Sequence, residues 1–362
     1  MTALPLSGVR VLDLSRVLAG PLCTMMLGDL GADVIKVERP GGGDETRGWG
    51  PPFDDRGESA YFLSCNRNKR SLVADLDSEA DQALIRGLAR DADVVVDNFL
   101  PGTLLRKNVD DVQLLIDNNR LVWCSIGGYP EQPSRPGYDF AVQAESGWMS
   151  VTGDPLGQPV RTAVALVDVL TGKDAAIAIL SALVGRSRLS ASERRLSVTL
   201  AGSARAALVN VAQNALVSGR EAARWGNAHA NLVPYQLFDT ADRPIVITVG
   251  SDAQWIALTG VLGDAGLGAD PVLRTNAGRV THRARCVDAV QATLRTAGAA
   301  EWKARCERAG VPVGEVRGVL EALANLGASA VTGVPSSVGG SVRLPPPLLG
   351  QHSDEIRARG WS

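Results

Sequence analysis

Alternation of short apolar, β-branched runs with helix-period segments is the feature that most constrains this chain. Val9–Leu14 reads as a buried strand, and Gly20-Pro21 opens a helix that carries Met25, Met26 and Leu27 towards Gly31. A second strand covers Asp33–Glu38. Ser78 begins a helix with Leu84, Ile85 and Leu88 on one face. Asp93–Phe99 is a third strand, Val109–Ile116 a helix, and Leu121–Ile126 a fourth strand. Strand, helix, strand in this order predicts a parallel sheet with helices on its faces. Such sheets bind ligands at the carboxyl ends of their strands. Here those ends are Ser15-Arg16-Val17, Glu38-Arg39-Pro40, Asn98-Phe99 and Gly127-Gly128.

The segments that leave the strands exclude several chemistries. Ser15-Arg-Val-Leu-Ala-Gly-Pro21 is no GxGxxG fingerprint, and Gly41-Gly-Gly43 leads into Asp44-Glu45, which is no P-loop. Three histidines (His229, His282, His352) lie outside the sheet half, no GxSxG elbow is present, and no metal-ligand spacing occurs. Five cysteines are scattered without a CxxC, which points to a reducing compartment. A formal net charge of -2 gives no pull towards nucleic acid or membrane. Met1–Pro5 lacks a basic region followed by an apolar core, so no signal peptide is expected, and the protein is expected to be cytoplasmic.

Cations gather at the predicted strand ends. Asn66-Arg-Asn-Lys-Arg-Ser71 reads as a basic loop before a strand at Leu72–Leu76. With Arg16, Lys36, Arg39 and Arg106 it suits an anionic ligand, although each residue alone is as readily a solvated surface charge. Further on, Ser197–Leu200 is a short strand and Ala201–Leu216 one long Ala-rich helix. The composition shifts near Gly219–Asn231. A second unit comes next, with a strand at Pro244–Val249, a helix at Asp252–Leu262, helices at His282–Ala297 and Glu301–Ala309, and Val311–Val316. A Gly- and Pro-rich tail from Ser336 reads as an extended arm.

One carboxylate stands out. Asp168 is the only charge between Arg161 and Lys173. It sits among Ala165, Leu166, Val167, Val169 and Leu170 ahead of an apolar helix. A poorly hydrated carboxylate at a helix mouth, kept ionised by the helix dipole, suits a nucleophile. On this stretch alone a helix-capping Asp is the better reading, since such caps are common.

An ordered set of motifs then resembles the class III CoA-transferase family, the formyl-CoA transferase type that includes the α-methylacyl-CoA racemases. The motifs are Gly8-Val-Arg-Val-Leu-Asp-Leu-Ser15 with Ala19-Gly-Pro21, and Leu30-Gly-Ala-Asp-Val-Ile-Lys-Val-Glu-Arg-Pro40 with Gly43-Asp44 and Thr46-Arg47. Asn66–Ser71, Asp97-Asn-Phe-Leu-Pro-Gly102, Gly137-Tyr-Asp139, Asp168, Gly226-Asn227, Pro234-Tyr235, Ala309-Gly-Val-Pro312 and Leu349-Gly-Gln-His352 continue it. The resemblance implies an α/β fold: a Rossmann-like large domain with a parallel sheet, a smaller α+β domain, and two copies interlocked as a dimer. The large domain would take 1–200, a linker helix 201–225, the small domain 226–332, and an arm returning to the large domain 333–362.

By the same resemblance coenzyme A is the substrate, with no metal. Val17, Arg39, Ala74, Asn98, Phe99, Thr103 and Arg106 would line its pocket, with Tyr138 and Asp139 beside it. Arg39 and Arg106 would hold phosphates, and Asn98-Phe99 the pantetheine or adenine portion. Asp168 matches the family nucleophile, which passes through an aspartyl-acyl anhydride and an aspartyl-CoA thioester to move CoA from an acyl-CoA to a carboxylic acid. Backbone amides near Gly172, or near Val249-Gly-Ser251 of the smaller domain, are candidate oxyanion sites. The racemase branch places a His before the Asp of the Gly-x-Asp position. This chain has Tyr138 there, and a phenol with a pKa of about 10 is a poor base at neutral pH. An acyl-CoA racemase or epimerase, or a non-catalytic CoA-binding homologue, are the alternatives.

Overall fold

The structure is a computed structural model that describes residues 4–324, 326, 334 and 336–362. The chain divides into two compact units. One comprises residues 1–149, 161–220 and 326–362, and the other 150–160 and 221–325. Ser150–Val160, expected in the first domain, therefore belongs to the second unit. The expected boundary at 332–333 lies outside the described residues.

The larger unit is built on six parallel strands: β1 (Arg10–Asp13), β2 (Asp33–Glu38), β3 (Lys69–Val73), β4 (Val94–Asp97), β5 (Val122–Gly127) and β6 (Arg195–Thr199). Their order is β3-β2-β1-β4-β5-β6. From β1 the chain winds one way through β2 and β3, then returns to β4 on β1's other side. This reversal opens a crevice between the carboxyl ends of β1 and β4. Strand residues alternate between two cores, as the two-residue period of a strand requires. Val11, Val34, Val94, Val96 and Cys124 pack on one face with the helices Ala19–Asp29 and Leu166–Gly185. Leu12, Ile35, Leu72, Val95 and Trp123 pack on the other with the helices Glu79–Arg90 and Asp111–Asp117. Covering both faces is why these strands read as continuous apolar runs.

The tail is not wholly extended. It ends in a helix, Ser353–Arg359, whose Ile356 is buried in the second core, and Trp361 donates through Nε1 to the Leu88 carbonyl at 3.0 Å. The single helix expected over Ala201–Leu216 is two, Leu200–Ala206 and Val209–Ser218, broken where Val209 takes a positive φ of 38°. Apolar composition alone does not register such a break.

Salt bridges inside the sheet replace the basic loop expected at Asn66–Ser71. Lys69 lies in β3, fully buried, with its ammonium 2.9 Å from Asp13 and donating to the Pro21 carbonyl and Asn66 Oδ1. Arg67 pairs with Asp29 and Arg70 with Asp33, both at 2.7 Å. Lys36 is buried against Asp44 at 2.9 Å. These cations serve the fold, each held by a carboxylate partner. Burial alone would raise the Asp13 carboxyl, but Lys69, Lys36 and the hydroxyls of Ser15 and Thr24 bring it down to about 2. Removing one partner of such a pair strands the other charge in the core. Lys69→Met is therefore expected to destabilise the protein by about 3–5 kcal/mol. Urea denaturation checks this, and a loss within error of zero would contradict it.

The smaller unit carries a three-stranded antiparallel sheet, β7 (Tyr235–Phe238), β8 (Ile245–Thr248) and β9 (Val313–Glu315), with β8 central. Phe238, Ile245, Ile247, Trp255, Leu258, Val290 and Trp302 form its core. Arg279 is fully buried there, donating to the carbonyls of Val233 and Leu273 and paired with Asp252 at 2.8 Å. No described helix of either unit is long and apolar enough to cross a membrane.

Candidate active site

The chain leaving β1 is clamped on almost every backbone polar group. Asp13 Oδ1 accepts from the Ser15 amide at 3.0 Å and from its hydroxyl at 2.5 Å. Lys36 donates to the Ser15 carbonyl at 2.8 Å. Asn98, at the end of β4, accepts from the Arg16 amide at 3.1 Å and donates to the Arg16 carbonyl at 2.7 Å. Asp44 accepts the Val17 amide at 3.2 Å. Together these hold Val17 at φ 71°, a left-handed conformation that a β-branched residue adopts only when its surroundings impose it. The Asn98 amide is committed to this loop. Asn98 thereby positions the Arg16 backbone, and both Asn98 and Phe99 beside it lie in the cavity wall.

Asp168 is the third residue of the helix Leu166–Gly185, not its cap. The cap position, Ala165, has no polar side chain to offer. Asp139 takes over that task from the helix Asp139–Glu145: its Oδ2 accepts the Val167 amide at 2.9 Å and the Asp168 amide at 3.4 Å. Gln143 holds Asp139 Oδ1 at 2.6 Å and accepts the Thr162 amide at 2.9 Å. Because another carboxylate caps the helix, the Asp168 carboxylate is free: among the described residues no donor meets it. Burial, and then the negative charge of Asp139, push its pKa up to about 7. The helix dipole does not keep it in the ordinary acidic range, because burial, and then the neighbouring Asp139 carboxylate, outweigh it. Gly172 faces the Ala19 carbonyl so closely that an added Cβ would lie 2.6 Å from it. Its place is inside the helix at a tight packing contact with Ala19–Asp29, so it offers no oxyanion site.

A cavity of about 490 Å³ opens at the crevice between β1 and β4. Asp168, Val17, Arg16, Asn98, Phe99 and Tyr138 are in its wall. A second cavity, of about 200 Å³, is lined by Arg39, Ala74 and Asp75, and shares Arg16, Glu45 and Phe99 with the first. Of the residues expected at the site, Asp168, Val17, Asn98, Phe99 and Tyr138 thus meet in one cavity, and Arg39 and Ala74 line its neighbour. Thr103 and Arg106 line neither: Arg106 is exposed and donates to Thr103 Oγ1 at 3.0 Å. Asp139 is buried behind Asp168 and also lines neither. Sequence reasoning missed Glu45, Gln143 and the capping role of Asp139. The last had a signal, an Asp168 helix that starts on Ala165 with no capping side chain of its own.

Residues 6–335 match the family described as CoA-transferase family III. The chain belongs to CoA-transferase family III. Among its relatives in the family is the succinate–glutarate CoA-transferase of Agrobacterium fabrum, 40% identical over 89% of this chain and 82% of that protein. The mouse succinyl-CoA:glutarate CoA-transferase is 39% identical over 97% of this chain and 85% of its own length. A crystal structure of a CaiB/BaiF family protein from Brucella suis superposes with a TM-score of 0.86 at 36% identity, covering 99% of both chains.

Proposed function

We propose that this family III member moves CoA from an acyl-CoA to a dicarboxylic acid, with Asp168 as the covalent carrier. One observation carries the reading: a carboxylate that no described donor meets, with its pKa raised to about 7, stands in the wall of the crevice cavity. A carboxylate poor in solvation and of raised basicity is a stronger nucleophile than an ordinary aspartate.

Each step balances in bonds and charge. An Asp168 oxygen bonds to the thioester carbonyl carbon and the C–S bond breaks, giving an aspartyl-acyl anhydride and CoA thiolate. The thiolate then attacks the aspartyl carbonyl, forming the aspartyl-CoA thioester and releasing the donor acid as its carboxylate. The acceptor carboxylate attacks that thioester, giving a second anhydride and thiolate. The thiolate takes the acceptor's acyl carbon, and Asp168 leaves as a carboxylate.

CoA would run from the smaller cavity, with its phosphates near Arg39 and its adenosine near Ala74, past Phe99 to bring the thioester to Asp168. Tyr138 occupies the place where the racemase branch has its histidine, which favours transfer over racemisation. The relatives named for succinate and glutarate supply the acid class.

Pairing of two copies belongs to this reading. The helix Val209–Ser218 buries none of its residues and presents Leu216 and Val217 to solvent, as a face awaiting a partner would.

Incubating the protein with succinyl-CoA and isotopically labelled glutarate tests the proposal by mass spectrometry. Labelled glutaryl-CoA is expected, and its absence at enzyme concentrations approaching that of the substrate would refute it.

A further inference from the structure

The cavity that holds Asp168 has two cations in its wall, Arg16 and Arg135, and two anions, Asp168 and Glu45. Arg135 is spent. It bonds Glu145 through both terminal nitrogens, at 2.9 and 2.5 Å, and lies 4.1 Å over the Tyr129 ring. Arg16 is held differently. Its backbone is gripped on both polar groups by Asn98, while its guanidinium projects beside Phe99, 5.7 Å from the ring centroid. Its one ion pair among the described residues joins a single nitrogen, Nη1, to Glu45 at 2.6 Å. Both side chains of that pair are partly exposed, so the pair is weak and exchangeable.

A rigid backbone with a loosely held fork suits the capture of an anion. A dicarboxylic acid needs such help. Its reacting carboxylate must approach the thioester carried on Asp168, and its second carboxylate would be repelled by Glu45 unless a cation receives it. Arginine's planar fork matches a carboxylate with two parallel hydrogen bonds. Lys36, Lys69, Arg67 and Arg70 are committed to partners within the fold.

Resting on the CoA-transfer reading above, we infer that Arg16 is the specificity residue of this site: its guanidinium leaves Glu45 to take the distal carboxylate of a dicarboxylic acid whose other carboxylate reacts at Asp168. The clamps from Asp13, Lys36, Asp44 and Asn98 then have a shared purpose, since they fix the one backbone from which that fork reaches the cavity.

Arg16→Gln and Arg16→Lys test this against two acids of equal chain length, glutarate and pentanoate. Binding of each acid to the CoA-loaded protein is measured by calorimetry, and KM and kcat for each by steady-state transfer from succinyl-CoA. Loss of a charge-assisted fork is worth roughly ten- to hundredfold in affinity. Arg16→Gln is expected to weaken glutarate by that factor while pentanoate changes by less than about twofold, so that discrimination between the acids collapses, and Arg16→Lys should recover part of it. Equal losses for both acids, or weakened binding of CoA itself, would overturn the inference and assign Arg16 to CoA or to the fold. Unchanged glutarate binding would reduce it to a surface ion pair with Glu45. Failure of the wild type to transfer CoA would count against the catalytic reading, while the glutarate calorimetry still decides the role of Arg16.

Discussion

Asp168→Ala is expected to lower CoA transfer by about four orders of magnitude or more, the scale on which loss of a catalytic group registers in enzymes whose groups act as a unit. The expectation comes from the chemistry. Without a carboxylate at this position there is no aspartyl anhydride and no carrier for the CoA. Asp168→Asn should fail as completely, since an amide keeps the shape and loses the nucleophile. CoA binding should survive both substitutions, because the cavity lined by Arg39 and Ala74 does not include Asp168. Residual transfer within tenfold of the wild type in either variant would remove Asp168 from the mechanism.

The second expected result is a gain in stability from the same inactive Asp168→Asn variant. The pKa of Asp168 is about 7 in the folded protein and 3.8 in the reference state. A carboxyl with a raised folded pKa binds its proton more tightly folded than unfolded. The native state therefore loses stability as pH rises from about 3.8 to about 7, and the full penalty persists above that. By linkage the penalty reaches an upper limit of about 4 kcal/mol. Solvent reaching the half-buried side chain lowers it. Asp168→Asn lifts the penalty, so its midpoint in urea should exceed the wild type's at pH 8 and converge with it near pH 4. The same protonation controls turnover. Transfer should fall with unit slope as pH drops below about 7, as the nucleophile is protonated. Asp139→Asn keeps an oxygen to cap the helix and removes the neighbouring charge, so this acid limb should move to lower pH while the fold is retained. An acid limb that stays put in Asp139→Asn, or an Asp168→Asn protein no more stable than the wild type at pH 8, would contradict the electrostatic account.

Much of the parallel sheet was legible because most of its strands carry their own evidence, although β3 begins at Lys69, inside the expected loop, and ends at Val73. Asp33–Glu38 is a strand to the ends its patterning predicts, and Asp252–Leu262 a helix likewise, since Ser251 caps that helix and Gly263 stops it. Local patterning says where an element starts, and it says nothing of what faces it. Lys69 looked like a loop cation because its partner Asp13 lies on a strand far away in the sequence. The assignment of Asp168 as nucleophile or cap could not be made from its own stretch for the same reason. The residue that takes the cap, Asp139, stands on another helix and meets the amides of Val167 and Asp168 only after folding. Asn98 lies in the cavity wall and its amide also grips the Arg16 backbone, a task its motif did not announce because a motif records position and not the atom an amide bonds.

Direct capture of the acylated side chain tests the covalent claim most closely. Protein turning over succinyl-CoA and glutarate in the presence of hydroxylamine, digested and mapped by mass spectrometry, should carry a hydroxamate at Asp168 and at no other carboxylate. Sustained transfer with Asp168 unmodified, or with the label on a different residue, would contradict it.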